Sequence, residues 1–153
     1  MHEAPEVFKT PSMKYPKVPR MIDLGSIGQP NLGYLTVAES SNNIPFDLKR
    51  IYWTYYTPHE VVRGHHAHRE LEQVIIAVSG SLAITTEGPG GVKNEFNLLS
   101  PNQGLYVPEM HWREIKFSHN AVLLSLASAL YSEEDYIRSY DQFKILTASN
   151  KAR

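Results

Sequence analysis

The feature that most constrains the fold is a series of ten short segments between Met21 and Ala127 in which apolar and polar residues tend to alternate. Alternation with a period of two places successive side chains on opposite faces of a β-strand. Turn-forming residues separate the segments, as in the cluster Gly88-Pro89-Gly90-Gly91. Many short strands at intervals of about 8–12 residues favour an all-β sandwich or barrel. The predicted strands are 21–24, 33–38, 49–57, 64–69, 72–78, 81–87, 92–98, 104–107, 111–117 and 121–127.

Length and composition exclude several classes of function. A chain of 153 residues with 42% hydrophobic and 20% charged residues suits one globular domain with a single core. The formal net charge of −1 gives no basic surface for nucleic acid. Without cysteine there are no disulfides and no thiolate chemistry. Neither a membrane-spanning run nor the apolar core of a signal peptide is present, so we expect a cytoplasmic protein without membrane contact.

The N-terminal residues differ from the central region. Residues 1–20 contain four prolines, a density that opposes both helical and sheet hydrogen bonding. We interpret this stretch as an arm laid on a partner, with a packed strand as the alternative. The predicted domain then covers residues 21–146, and residues 147–153 form a C-terminal tail.

A helix is predicted only near the C-terminus. Ser132 is a candidate N-cap, and the acidic Glu133 and Glu134 in the first turn complement the helix dipole. Apolar residues then recur at helical spacing on one face, which could pack against the β-strands. These residues are Tyr136, Ile137, Tyr140 and Phe143.

Histidines at positions i and i+2 give the chain its most specific chemical signal. In the segment Arg63-Gly64-His65-His66-Ala67-His68, a β-strand sends His66 and His68 to the same face. Paired imidazoles facing inward could bind a metal ion or transfer protons. The segment alone leaves both uses open.

His66-Ala67-His68, Gln73 and Gly80 resemble the first motif of the cupin superfamily, in which HxH precedes an acidic metal ligand and a glycine. Gln73 occupies the acidic position, whereas Glu72 is one residue out of register and should point the other way. The segment Pro108-Glu109-Met110-His111 lacks the glycine of the second cupin motif, and its histidine comes too early. Because two histidines and an amide make a poor ligand set, we expect no metal and no other cofactor, and proton transfer is favoured.

Further segments resemble one group of metal-independent cupins, the dTDP-4-keto-6-deoxyhexose 3,4-ketoisomerase (WxcM-like) family. The resemblance covers about residues 20–145, and its motifs fall in the family's order. It implies a cupin jelly-roll β-barrel with a short C-terminal helix, a homodimer, and a dTDP-linked keto sugar as substrate. The segments are 63–68, 71–75, 78–80, 104–107, 126–128 and 131–143.

The family reaction, as the resemblance implies it, moves a ketone from C4 to C3 of dTDP-4-keto-6-deoxyglucose through an enediol. One base near neutral pKa can remove the C3 proton if donors stabilise the developing oxyanion. We assign His66 as the base and His68 as a second acid/base or orienting group, although the sequence does not order the two. Tyr52 could relay a proton to the sugar oxygen, or could equally be a buried structural tyrosine.

Four residues are candidates for substrate binding. Arg63 could hold the diphosphate through a bidentate guanidinium contact, with a strand-edge surface position as the alternative. Gln73 could hydrogen-bond a sugar hydroxyl. Tyr106 and Trp112 could stack on the base, although aromatic strand residues are more often part of the core. His111, near a turn signal, is most simply a surface residue.

Three functions compete at this point. The first is the sugar-nucleotide 3,4-ketoisomerase. The second is another cupin enzyme, either a 3,5-epimerase or a metal-dependent oxygenase; the second histidine of the pair argues against an epimerase, and metal content would identify an oxygenase. The third is a non-catalytic cupin that only binds a sugar. The sequence does not report whether C4 of the product has the gluco or the galacto configuration.

Overall fold

The computed structural model describes residues 16–149, which form two five-stranded antiparallel sheets and one C-terminal helix. The first sheet has the order β1-β9-β6-β11-β4 and the second the order β12-β5-β10-β7-β8. The all-β prediction and all ten predicted strands are therefore confirmed. The strands are β1 Arg20–Asp23, β2 Ile27–Gln29, β3 Gly33–Leu35, β4 Arg50–Thr54, β5 Val62–His68, β6 Gln73–Ser79, β7 Leu82–Glu87, β8 Lys93–Leu98, β9 Gln103–Val107, β10 Trp112–Phe117, β11 Val122–Ala127 and β12 Tyr136–Ile137.

The main core lies between the two sheets, which are not hydrogen-bonded into a closed barrel. The central strand β6 reads as an almost continuous apolar run because both of its faces are covered. Ile75 and Ala77 belong to the core between the sheets. Val74 and Ile76 belong to a second cluster on the outer face, under the chain that includes Leu24, Ile44 and Phe46.

Two short strands were not predicted. Strand β2 pairs with β3 in a separate two-stranded hairpin, and β12 pairs with β5 through Tyr136↔His68 and Ile137↔Ala67. With three and two residues respectively, neither strand is long enough to show alternation.

The predicted start of the C-terminal helix is wrong. Ser132 precedes only a single 3₁₀ turn, Glu133–Asp135, and its side chain makes no capping hydrogen bond. Tyr136 and Ile137 are then drawn into the sheet as β12, and helix α1 runs from Tyr140 to Ser149. The helix follows Ser139, whose Oγ accepts a hydrogen bond of 3.3 Å from the backbone N–H of Gln142, as an N-cap does.

Residues 1–15 of the predicted arm and residues 150–153 of the predicted tail lie outside the described residues. Within the described part, Lys17 forms an ion pair with Glu72, and α1 extends through Ser149 into the predicted tail. No helix within residues 16–149 is long and apolar enough to cross a membrane.

Candidate active site

A polar cavity of about 280 Å³ opens between the two sheets. Four residues singled out from the sequence line it: Tyr52 on β4, Arg63 and His66 on β5, and Gln73 on β6. The apolar part of the lining is supplied by core residues such as Ile75. The cavity is therefore an extension of the core in which polar side chains replace apolar ones.

A β-bulge in β5 brings Arg63 and His66 to the same cavity. Residues three apart on a regular strand face opposite sides, but here Arg113 of β10 pairs with His66 while Glu114 pairs with Gly64. His65 is the extra residue, with a φ of 52°, and its side chain points away from the cavity. The bulge thus re-aims one side chain, as bulges do beside functional sites.

Gly64 is required for this bulge. Its φ is +91°, and a Cβ built on it would lie 2.6 Å from the carbonyl oxygen of Arg113. Because of the positive φ and the close approach of β10, any residue with a Cβ would be strained at this position.

His66 lines the cavity, and its Nε2 makes no hydrogen bond within residues 16–149. Its Nδ1 lies 2.9 Å from the carbonyl oxygen of Gly64, which can only accept, so Nδ1 carries the proton and Nε2 keeps its lone pair. Burial, together with the charge of Arg113, lowers the pKa of His66 to about 4. His66 is therefore a neutral hydrogen-bond acceptor at neutral pH, and its pKa lies below the near-neutral value that the sequence led us to expect of the base.

His68 lies behind His66 and is completely buried. Its Nδ1 donates to Oδ2 of Asp135 over 2.9 Å, whereas its Nε2 is buried and makes no hydrogen bond within residues 16–149. The ring lies edge-on to His66 at 5.0 Å and also contacts Tyr136 at 4.4 Å, centroid to centroid. Burial and the nearby Arg113 lower the pKa of His68 to about 2. An imidazole oriented by a carboxylate is the arrangement used to position a general base.

Arg113, Gln73 and Tyr52 form a chain of hydrogen bonds across the cavity floor. Nη1 of Arg113 donates to Oε1 of Gln73, and Nε2 of Gln73 donates to Oη of Tyr52 over 2.6 Å. The guanidinium also donates to the carbonyl oxygen of His111 over 2.9 Å. Burial lowers the pKa of Arg113 to about 10, so it remains charged at neutral pH.

The cavity is electropositive. Arg63, Arg113 and Arg138 all line it. Arg138 is held in place by a two-point ion pair with Glu133, at 2.6 and 2.9 Å, whereas Arg63 makes no ion pair within the described part of the chain. An anionic ligand would balance these charges.

Comparison with known proteins gives the family. The family model described as FdtA, WxcM-like, C-terminal matches residues 17–148. The chain belongs to the WxcM-like family. A relative from Aneurinibacillus thermoaerophilus, TDP-4-oxo-6-deoxy-alpha-D-glucose-3,4-oxoisomerase, is 44% identical over 113 residues, which are 73% of this chain and 81% of the relative.

Solved structures of sugar 3,4-ketoisomerases agree with the fold. QdtA, a sugar 3,4-ketoisomerase from Thermoanaerobacterium thermosaccharolyticum in complex with TDP, superposes with a TM-score of 0.82 at 36% identity, covering 86% of this chain and 96% of its own. The TDP-quinovose 3,4-ketoisomerase WlaRB from Campylobacter jejuni gives 0.77 at 40% identity, covering 83% and 97%. The cupin fold and the family predicted from the sequence are confirmed.

Two predicted substrate-binding residues of this WxcM-like chain lie outside the cavity. Tyr106 is 1% exposed, packs in the outer-face cluster with Leu24 and Ile44, and donates its hydroxyl proton to Glu72. Trp112 faces outward and packs against Phe143 of α1. Both are core aromatics, which was the alternative reading for aromatic strand residues.

The predicted surface position of His111 is wrong. It was predicted to be a surface residue, but it is 8% exposed, and its Nδ1 donates to the carbonyl oxygen of Glu109 over 2.8 Å. A position near a turn does not prevent burial where a neighbouring loop covers it; here Gly88 lies against the ring.

The sequence reasoning missed four residues around the cavity: Arg113, Asp135, Tyr136 and Arg138. A signal existed for Arg113, because it alternates with Ile115 and Phe117 on the apolar face of β10. Asp135, Tyr136 and Arg138 lay inside the segment that resembled the family's ending, but their proximity to the histidines depends on the unpredicted strand β12.

The carboxylate beside the histidine pair, Asp135, is hydrogen-bonded to Nδ1 of His68. Within residues 16–149, no group of three or more His, Cys, Asp or Glu side chains is arranged to hold an ion. The position that is acidic in the cupin motif, Gln73, instead accepts from the charged Arg113.

Proposed function

We propose that this WxcM-like protein is a 3,4-ketoisomerase that converts dTDP-4-keto-6-deoxyglucose into a dTDP-3-keto-6-deoxyhexose. The observation that carries the proposal is the free Nε2 of His66 on an electropositive cavity. Family membership and the named activities of the relatives support it. QdtA has in addition been crystallised as a histidine-to-asparagine variant with TDP-4-keto-6-deoxyglucose bound.

The reaction needs no change of oxidation state in the protein. His66 Nε2 removes the C3 proton, which is acidic because it is adjacent to the C4 ketone, and the electron pair forms the C3=C4 double bond. The C4 oxygen takes a proton from Tyr52, which gives the enediol. The deprotonated Tyr52 oxygen then takes the proton of the C3 hydroxyl, which restores Tyr52, and the histidine that carries the abstracted proton delivers a proton to C4 after exchange with solvent. The 3-keto product results, and atoms and electrons balance.

His66 and His68 have different positions and hence different proposed tasks. His66 lines the cavity and can reach a substrate atom, whereas His68 is fully buried behind it. His68, whose Nδ1 is held by Asp135 and whose ring lies 5.0 Å from that of His66, is the proposed second acid/base or orienting group. An outcome in which His68 alone is essential would reverse this order.

Arg63 and Arg138 are the proposed contacts of the diphosphate. Both are exposed at the cavity. Arg63 can match phosphate oxygens with two parallel donors, whereas Arg138, whose Nε and Nη2 donate to Glu133, offers its positive charge and its remaining donors. Arg113 is fully buried and is engaged by Gln73, so it contributes charge and not a mobile contact.

We also infer a homodimer. Among the described residues, strand β4 lies at an edge of its sheet, and its outward residues Ile51 and Trp53 are 50% and 61% exposed. Edges with exposed apolar residues pair readily with another chain. Sedimentation equilibrium tests this: a dimer mass is expected, and a monomer at micromolar concentration would contradict it.

The cytoplasmic location stays a prediction, as do the N-terminal arm and the domain limits.

The activity itself is tested with dTDP-4-keto-6-deoxyglucose and the full chain, with the products followed by carbon and proton NMR. Signals of a 3-keto-6-deoxyhexose that grow only when protein is present are expected. The same spectra show whether C4 of the product has the gluco or the galacto configuration. Unchanged substrate, or inversion at C3 or C5 without movement of the ketone, would overturn the isomerase proposal in favour of a binding protein or an epimerase.

A further inference from the structure

Gln73 has a fully determined side-chain orientation, which is unusual for an amide. The residue is 2% exposed and begins the central strand β6. Its Oε1 accepts from Arg113, and its Nε2 contacts Tyr52 Oη at 2.6 Å and Ser125 Oγ at 3.1 Å. All of its side-chain polar atoms are therefore engaged within the protein.

Arg113 decides which way the amide points. A guanidinium has only donors, so the group facing it must be the carbonyl oxygen of Gln73. The two amide hydrogens must then face Tyr52 and Ser125. Because Tyr52 Oη accepts one of them, its own proton cannot point at Gln73.

The remaining direction for that proton is the cavity, which Tyr52 lines. We propose that Gln73 is a positioning residue that, oriented by Arg113, makes Tyr52 a hydrogen-bond donor to the substrate oxygen. This inference deepens the proposed function and rests on it. It also replaces the predicted contact between Gln73 and a sugar hydroxyl with an action through Tyr52.

The chain also explains why an amide suits this position better than the carboxylate of the cupin motif. A glutamate here would pair with Arg113 through one oxygen and accept the protons of Tyr52 and Ser125 through the other. Tyr52 would then turn its lone pairs towards the cavity, where negative charge develops on the substrate oxygen. Tyr52 would thus change from a hydrogen-bond donor to an acceptor on the cavity side, although the site would keep almost the same shape.

The first test is kinetic and uses Gln73→Glu, which is nearly isosteric and retains a partner for Arg113. We expect kcat to fall by about 100-fold, the effect of losing one oxyanion donor, while KM changes little. Ser125→Ala removes the other acceptor of the same amide and should cost much less. In a Tyr52→Phe background, Gln73→Glu should cause little further loss, because the donor through which it acts is already absent.

Independent effects would overturn the inference: a double variant whose loss is the product of the two single losses places Gln73 outside the action of Tyr52. Equal activity of Gln73→Glu and the parent protein would do the same. Circular dichroism and thermal unfolding of each variant separate a folding defect from these outcomes.

The second test does not depend on activity. Neutron diffraction from crystals of the deuterated protein should show both amide deuterons of Gln73 on the side of Tyr52 and Ser125, and the Tyr52 deuteron directed into the cavity. A Tyr52 deuteron directed at Gln73 would overturn the inference. A parent protein that fails to isomerise the sugar would instead remove the proposed function, while the neutron result would still decide the orientation of the chain.

Discussion

On the inner face of strands β5 and β10, His66 and Arg113 have no carboxylate among their hydrogen-bond partners within residues 16–149. On the outer face of the same strands, His65 lies 3.4 Å from the carboxylate of Glu114. The outer face continues with Glu87, which accepts from Lys144 over 2.6 Å. Residues that are adjacent in sequence thus belong to two faces whose charges are arranged differently. The inner face leaves positive charge for an anionic ligand, whereas the outer face neutralises its charges internally.

The largest expected effect separates the two adjacent histidines. His66→Asn removes the proposed base and should lower kcat by about 10²–10⁴-fold, the usual contribution of general acid–base catalysis. His65→Asn is the matched control, because asparagine tolerates the positive φ of this position and its side chain faces outward. Steady-state kinetics with dTDP-4-keto-6-deoxyglucose measures both. Equal losses would show that the two faces are not functionally distinct.

The second largest effect is expected from a substitution at the bulge, where His65 and His66 turn to opposite faces. Gly64→Ala forces a Cβ to within 2.6 Å of the Arg113 carbonyl oxygen at a φ of +91°, whereas Gly25→Ala has a similar φ of +70° but open space. Chemical denaturation should show a loss of about 1–3 kcal/mol in the unfolding free energy of Gly64→Ala from backbone strain, and a smaller loss for Gly25→Ala. Only Gly64→Ala should also reduce activity. Identical behaviour of the two variants would mean that the close contact with β10 has no consequence.

A pH dependence of stability should come from the inner face. Burial holds the pKa of His66 at about 4 and that of His68 at about 2, below the ordinary 6.5, so the unfolded chain binds protons that the folded protein does not. This contribution to stability is present above pH 6.5 and is lost as the pH falls towards 4. Each such histidine adds a slope of up to about 1.4 kcal/mol per pH unit.

His68→Asn should therefore flatten the dependence of unfolding free energy on pH between 6.5 and 4, compared with His65→Asn. Denaturant titrations at several pH values measure this slope. If both variants gave the same slope as the parent protein, His68 would not be held neutral by the fold.

The smallest effect is expected on the outer face. Burial would raise the pKa of Glu87, but hydrogen bonds from Lys144 and Tyr140 outweigh burial and lower it. Lys144→Met removes one of these partners, but Lys144 itself is exposed, so the thermal unfolding midpoint should fall only slightly, with kcat unchanged. Thermal unfolding and the same kinetic assay check this. A marked loss of activity would show that the outer charges support the reaction.

The sequence predicted what local patterns determine. Alternation and turn residues identified ten strands, and the i, i+2 spacing predicted that His66 and His68 share one face; their rings lie 5.0 Å apart. The helix start was wrong because pairing of Tyr136 with β5, a contact 68 residues away in sequence, overrides a plausible N-cap.

The direction of individual side chains was harder to predict. The bulge at His65 changes which face Arg63 occupies, and nothing in the local pattern marks it apart from the glycine before it. Tyr106 and Trp112 are aromatic strand residues whose outward direction depends on which sheet faces which. Gln73 was predicted at the site and lines the cavity, but its hydrogen-bond partner Arg113 comes from the opposite sheet.

The most direct test of the central claim, proton transfer by an inner-face base through an enediol, is the fate of hydrogen at C3 and C4 in heavy water. The parent protein should give a 3-keto product that carries deuterium at C4, and the remaining substrate should gain deuterium at C3. His66→Asn should do neither, and His65→Asn should do both. Transfer of the original C3 hydrogen to C4 with no deuterium in either sugar would contradict the account, as would full exchange by His66→Asn.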